Sequence, residues 1–194
     1  FVCGWYINNN AIALLGIIIA LGMAILLYFG LVNAYYSRGR ARYKQGDYEG
    51  AIADYNWALR LFPRFALAYN YRGLAYSALG DYDAAIEDYN QALQLEPNLA
   101  IAYNNRSMAD FALGDYPAAL EDVNEALQLK PNFAIAYKNR GRVHSALGEH
   151  QAAIEDFTAA IRLTPKNTSV YGERGIVRVY QGDIPGAIGD FTQA

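Results

Sequence analysis

No Asp, Glu, Lys or Arg occurs before Arg38, so the first stretch of this chain has no charge with which to stay in water. Cysteine is nearly absent as well. Cys3 alone cannot close an internal disulfide, and nothing here demands an oxidising compartment. A lipoprotein cysteine follows an apolar stretch, whereas Cys3 precedes one, which argues against lipidation. The only histidines, His144 and His150, are six residues apart and do not share a helix face. His144 stands where Tyr76 stands elsewhere in the chain, which favours packing over metal binding. A glycine-rich phosphate loop, a nucleophile elbow and a calcium loop are all missing. A net charge of −3 and a pI near 5.4 exclude the basic face that nucleic-acid binding requires. The expectation is a non-enzyme with no catalytic residue, metal, cofactor or small-molecule substrate. An enzyme reading would have to rest on a domain outside this sequence.

Long apolar runs are present once. Ala11 to Phe29 carries no charge and no proline. At ~1.5 Å per residue it reaches roughly 28 Å, the thickness of a bilayer's hydrocarbon core. Trp5 and Tyr6 before the run, and Tyr28, Tyr35 and Tyr36 at its far end, are placed as interfacial aromatics. A signal peptide would have a basic start, a shorter run and a cleavage site. The reading is therefore a flank over 1–10 and a retained transmembrane helix over 11–30. Arg38, Arg40, Arg42 and Lys44 follow the run and no basic residue precedes it. This puts the N-terminus outside and the rest on the cytoplasmic (or stromal) side, next to membrane lipid. Gly16, Ala20 and Ala24 share a face where another membrane helix can approach closely.

The remainder repeats every 34 residues. Pro63, Pro97, Pro131 and Pro165 keep that spacing, as do Gly46, Gly80, Gly114, Gly148 and Gly182, and Ala51, Ala85, Ala119, Ala153 and Ala187. A 34-residue period is one helix–turn–helix unit, and stacking units buries faces that one unit cannot bury alone. The blocks are 32–65, 66–99, 100–133, 134–167 and an incomplete 168–194. Each first helix opens on an aromatic (Tyr35, Tyr69, Tyr103, Tyr137, Tyr171). Four places on comes a small residue for close helix approach (Gly39, Gly73, Ser107, Gly141, Gly175). Most of the 17 tyrosines recur at such fixed positions, which points to packing. Gly-Asp pairs such as Gly80-Asp81 fit a helix end followed by a helix start. Pro117 and Pro185 fall in the first turn of second helices. Leu31 and Val32 lead straight into the first repeat, predicting one helix from span to array. Phe1 is not methionine and Ala194 falls within a second helix, so a longer protein is expected.

The block Leu67-Ala68-Tyr69-Asn70-Tyr71-Arg72-Gly73-Leu74-Ala75-Tyr76, then Leu79-Gly80-Asp81-Tyr82, closely resembles the tetratricopeptide repeat (TPR) consensus. The resemblance implies an all-α fold, a right-handed superhelical solenoid after the transmembrane helix, and a protein-binding scaffold. One departure is systematic. Arginine replaces the usual leucine in every first helix (Arg38, Arg72, Arg106, Arg140, Arg174). Every second helix carries an aspartate (Asp54, Asp88, Asp122, Asp156, Asp190). A partly buried arginine needs a carboxylate, and these ten predict a ladder of ion pairs.

In the TPR family first helices line a concave groove. By the resemblance, the partner-binding residues are Tyr36, Arg40, Tyr43 and Lys44 in the first block, and Asn70, Tyr71, Leu74 and Ser77 in the second. Asn104, Asn105, Met108 and Phe111 follow in the third, and Lys138, Asn139, Arg142 and Ser145 in the fourth. Asparagine amides can hold a peptide backbone in both directions. The chaperone-binding TPR subgroup clamps a terminal carboxylate with lysine and asparagine. Tyr36 and Arg40 occupy the places of the first two clamp residues, so that clamp is not expected.

The repeat style is similar to bacterial, especially cyanobacterial, TPR proteins. A span followed by repeats is also the plan of a photosystem I assembly factor family. The expected function is a membrane-anchored scaffold, a subunit or assembly factor of a membrane complex whose partners are integral membrane subunits. The alternatives are a membrane-tethered peptide receptor or adaptor for soluble proteins, and a photosystem-type assembly factor in a thylakoid membrane.

Overall fold

The computed structural model describes residues 9–194; Cys3, Trp5 and Tyr6 lie outside the described residues. Among the described residues there are ten helices and no strand. The chain divides into two compact units, Phe1–Pro63 and Arg64–Ala194. The first holds α1 (Asn9–Lys44) and α2 (Tyr48–Leu61). The second holds α3 (Ala66–Ala78), α4 (Tyr82–Leu95), α5 (Ala100–Leu113), α6 (Tyr116–Leu129), α7 (Ala134–Ala146), α8 (His150–Leu163), α9 (Thr168–Gln181) and α10 (Ile184–Phe191).

In the first unit, apolar run and first repeat helix form one unbroken α1 of 36 residues. Its apolar part, Ala13 to Leu31, is solvent-exposed, and among the described residues nothing beyond the helix's own backbone lies within 4 Å of where a Gly16 side chain would stand. Burial begins at Val32. The end of the run also serves the repeat. The Tyr28 hydroxyl donates to the Leu61 carbonyl, and the Phe29 ring lies edge-on to Phe62, with centroids 6.2 Å apart. The last apolar turn therefore caps α2, which spacing alone assigned only to a membrane interface.

The same local chemistry recurs at every turn. Gly46, Gly80, Gly114, Gly148 and Gly182 all have φ between +76° and +85°, the left-handed region glycine enters without a Cβ penalty. Asp47, Asp81, Asp115 and Asp183 then accept from the amide three residues on. Glu149 at the equivalent place does not cap α8; its longer side chain meets His144 Nδ1 at 2.5 Å instead. Pro117 and Pro185 occupy the first turns of α6 and α10. Second helices α2, α4, α6 and α8 end two residues before Pro63, Pro97, Pro131 and Pro165.

Helix pairs interlock through a ring set on a missing side chain. Cβ atoms built on Gly39, Gly73, Gly141 and Gly175 would fall 2.7–2.9 Å from the rings of Tyr55, Tyr89, Phe157 and Phe191. In α5 the glycine is replaced by Ser107, and in α6 the matching ring is replaced by Val123; both are fully buried. A larger first-helix residue goes with a smaller second-helix one, conserving volume as close packing demands.

The expected ion-pair ladder is present in all five repeats. Nε and Nη2 of Arg38, Arg72, Arg106, Arg140 and Arg174 donate side by side to Asp54, Asp88, Asp122, Asp156 and Asp190 at 2.5–2.9 Å. Each guanidinium also lies 5.2–5.7 Å from the centroid of Tyr35, Tyr69, Tyr103, Tyr137 or Tyr171, within cation–π range. The third nitrogen stitches repeats together. Nη1 of Arg106, Arg140 and Arg174 donates to Asn90, Asn124 and Thr158 of the preceding block. The guanidinium spends its planar fork on three partners at once.

Candidate functional site

Within the second unit α5 contacts both α3 and α7 directly, so first helices lie side by side. Their exposed faces form a concavity of about 420 Å³. It collects Leu74, Ser77, Asn104, Asn105, Met108, Phe111, Lys138, Asn139 and Arg142, all placed there by the resemblance. Ile135 also lines it and is 47% exposed. It shares the register of Leu67 and Ile101, a signal the sequence reading passed over. Tyr71 is half-buried outside this concavity, and Asn70 is fully buried beneath it. Tyr36, Arg40 and Tyr43 belong to α1 in the first unit. There the Arg40 guanidinium lies 5.8 Å from the Tyr36 ring, and Tyr43 packs on Tyr48 with ring centroids 5.3 Å apart.

The asparagines have a prior engagement. Asn139 Nδ2 donates to Asn104 Oδ1, Asn104 Nδ2 to Asn105 Oδ1, and Asn105 Nδ2 to Asn70 Oδ1, at 2.9–3.3 Å. Asn70, Asn104 and Asn139 are buried, and the relay ends at Asn70 Nδ2, which has no partner among the described residues. This amide relay joins α3, α5 and α7 under the concave face. A partner would therefore meet mainly apolar groups there (Leu74, Met108, Phe111, Ile135), with Asn105 and Lys138 at the margin.

A second concavity, about 610 Å³, adjoins the first along Phe111 and Arg142. Arg142 donates through Nε and Nη2 to both carboxylate oxygens of Glu173 at 2.6 Å, and this bridge crosses from α7 to α9. The far wall is Ile176, Val177, Tyr180 and His150, the His150 and Tyr180 rings being stacked at 5.9 Å. Sequence reasoning missed Glu173, Ile176, Tyr180 and His150. Position by position, α9 shares few residue types with the earlier first helices, so its groove face had no template.

Arg42, counted in the sequence as a flanking cation, is also structural. Its Nη1 lies 3.1 Å from Asp54 Oδ2 and donates to the Gly50 carbonyl at 3.1 Å. Arg178 makes the same contacts with Asp190 and Gly186 in the last repeat. Among the described residues no group of three His, Cys, Asp or Glu is placed to hold a metal. What the surface offers is apolar contact, amides and one ion pair: the means of holding a protein segment.

The tetratricopeptide repeat model matches residues 36–100 and 104–168. That is more than half of the chain, and the chain belongs to the TPR family, whose members are protein–protein interaction scaffolds. Among solved structures it is similar to MamA, at 28% identity over 80% of this chain and 91% of that one, with a TM-score of 0.69. It is also similar to the first TPR domain of Spaghetti (RPAP3), bound there to the HSP90 peptide SRMEEVD. That match has 28% identity over 61% of this chain and 94% of that one, with a TM-score of 0.59. Pseudomonas aeruginosa PilF shares the fold, at 23% identity over 86% of this chain and 76% of that one, with a TM-score of 0.79. No curated protein matches the chain.

Proposed function

We propose that this protein is a non-catalytic, membrane-anchored scaffold, a subunit or assembly factor of a membrane protein complex. Residues 11–30 cross the bilayer and the repeats hold a protein partner on the cytoplasmic side. The observation that carries the reading is the exposed apolar half of α1, running without a break into a repeat helix. An uncovered apolar run of that length needs lipid around it. The orientation rests on Arg40 and Lys44, because Arg38 and Arg42 answer to Asp54. Gly16, Ala20 and Ala24 supply the face for a partner's membrane helix. In the groove, Met108, Phe111 and Ile135 supply apolar anchors.

The test is alkaline extraction of membranes, protease protection, and co-purification of membrane subunits in mild detergent. The reading expects the chain to stay in the membrane with its repeats cleavable from the cytoplasmic side. Phe111→Glu should lower recovery of partners without releasing the protein. Release by alkali would sink the anchor.

A second reading is a membrane-tethered receptor for segments of soluble proteins. It is favoured by the likeness to a TPR domain in complex with a peptide. Recovery of soluble proteins alone, unaffected by Gly16→Leu, would select it.

A further inference from the structure

We infer that a notch between α4, α5 and α6, away from the concave face, receives an arginine side chain from a protein partner. The argument comes from comparing the five repeats at one register: Arg42, Tyr76, Asp110, His144 and Arg178. In the first and last repeats this residue is an arginine that fills a fixed set of acceptors. Nη1 of Arg178 lies 2.9 Å from Asp190 Oδ2 and 3.0 Å from the Gly186 carbonyl, and its Nε lies 3.5 Å from Asp183 Oδ2. Arg42 repeats the arrangement on Asp54, Gly50 and Asp47 at 3.1, 3.1 and 3.5 Å. In the fourth repeat His144 Nε2 approaches Asp156 Oδ2 at 3.7 Å.

The third repeat keeps the acceptors and reverses the side chain. Asp122, Asp115 and the Ala118 carbonyl stand where Asp190, Asp183 and the Gly186 carbonyl stand, yet the residue facing them is Asp110. Aspartate is shorter than arginine, and a concavity of about 480 Å³ lies there, lined by Asp110, Ala118, Asp122, Glu121, Glu125 and Asn90. The one cation in its wall is already committed: Arg106 gives Nε and Nη2 to Asp122 and Nη1 to Asn90. The Asp110 carboxylate, unlike its backbone carbonyl, makes no hydrogen bond or ion pair with any described residue. Asp110, Glu121, Asp122 and Glu125 thus face one guanidinium, an excess of three negative charges in a partly desolvated notch. The carboxyl of Asp110 is pushed up to about 6 by burial first and by Asp122 second, with Asp115 adding and Arg106 opposing.

A guanidinium entering from outside would restore what the sister repeats hold internally: two carboxylates and a carbonyl around one planar fork. The match of fork to carboxylate favours arginine over lysine. The contact is independent of the groove and would add a second point of attachment on another face of the array.

The test uses the full chain, isotope-labelled in detergent micelles, and agmatine as the guanidinium probe. Saturable amide shifts at Asp110, Ala118 and Asp122 are expected. Asp110→Arg, which recreates the side chain of the first and last repeats, should abolish them while the repeat stays folded. Asp110→Asn should weaken binding roughly tenfold, and so should acidification below pH 6. Unchanged shifts in Asp110→Arg, or shifts confined to the groove, would overturn the assignment. So would magnesium ions moving these amides when agmatine does not.

Discussion

A Cβ on Gly73 would stand 2.7 Å from Cε1 of Tyr89, closer than any packed pair of carbons allows. The two residues are halves of one joint between α3 and α4, and three of the other four repeats reproduce it with Tyr55, Phe157 or Phe191 as the ring.

Gly73→Leu should therefore destabilise the array by ~1–3 kcal/mol through overpacking. Gly73→Ser combined with Tyr89→Val copies the Ser107 and Val123 pair and should recover stability relative to Gly73→Ser alone. Urea unfolding of the two singles and the double measures the coupling. Strict additivity would refute the joint.

Removing one member of an ion pair leaves its partner stranded. Arg140→Ala strips the buried Asp156 carboxylate of its two guanidinium donors and should cost ~2–4 kcal/mol, with Arg140→Lys recovering only part because lysine lacks the fork. Replacing both, Arg140→Met with Asp156→Leu, should come closer to the parent than Arg140→Ala does. Thermal melts of the three variants decide it.

Stability should also depend on pH through Asp110. Its folded-state carboxyl sits at about 6, above its ordinary value of 3.8. The folded state therefore binds the proton more tightly, and stability falls as pH rises from about 4 through about 6. With the group only partly buried, a loss of roughly 1 kcal/mol is expected. Asp110→Asn should abolish that slope and match the low-pH stability at pH 7, a result readable from chemical denaturation at pH 5 and pH 7.

Asn104→Leu should cost ~1–3 kcal/mol, since Asn139 Nδ2 loses its acceptor in a buried position. If the melting temperature holds and only partner recovery falls, the asparagines act as ligand contacts and not as a relay.

Much of this was legible in the chain because a repeat states each structural need several times. Glycine at 46, 80, 114, 148 and 182 announced a left-handed turn, and arginine with aspartate in every block announced a pair. Legibility failed where a residue's obligations run sideways to a neighbouring helix. Asn70, Asn104 and Asn139 looked like free amides because nothing in the spacing says that each points at the next. Arg42 read as a flanking cation because its twin, Arg178, lies four repeats away. Glu149 stands where the other repeats have a capping aspartate, and one extra methylene sends it to His144 instead.

The unbroken α1 has a geometric corollary. A helix turns by ~100° and rises ~1.5 Å per residue, so the stretch Gly30-Leu31-Val32 acts as a key in a shaft. With the apolar run seated in a bilayer, inserting one residue there swings α2 about a quarter-turn around the membrane normal. Inserting four brings it to within ~40° of its starting bearing, ~6 Å further along. Compass direction, not reach, is what such a helix transmits. The face of the apolar run and the face of the first repeat thus keep one fixed bearing to each other.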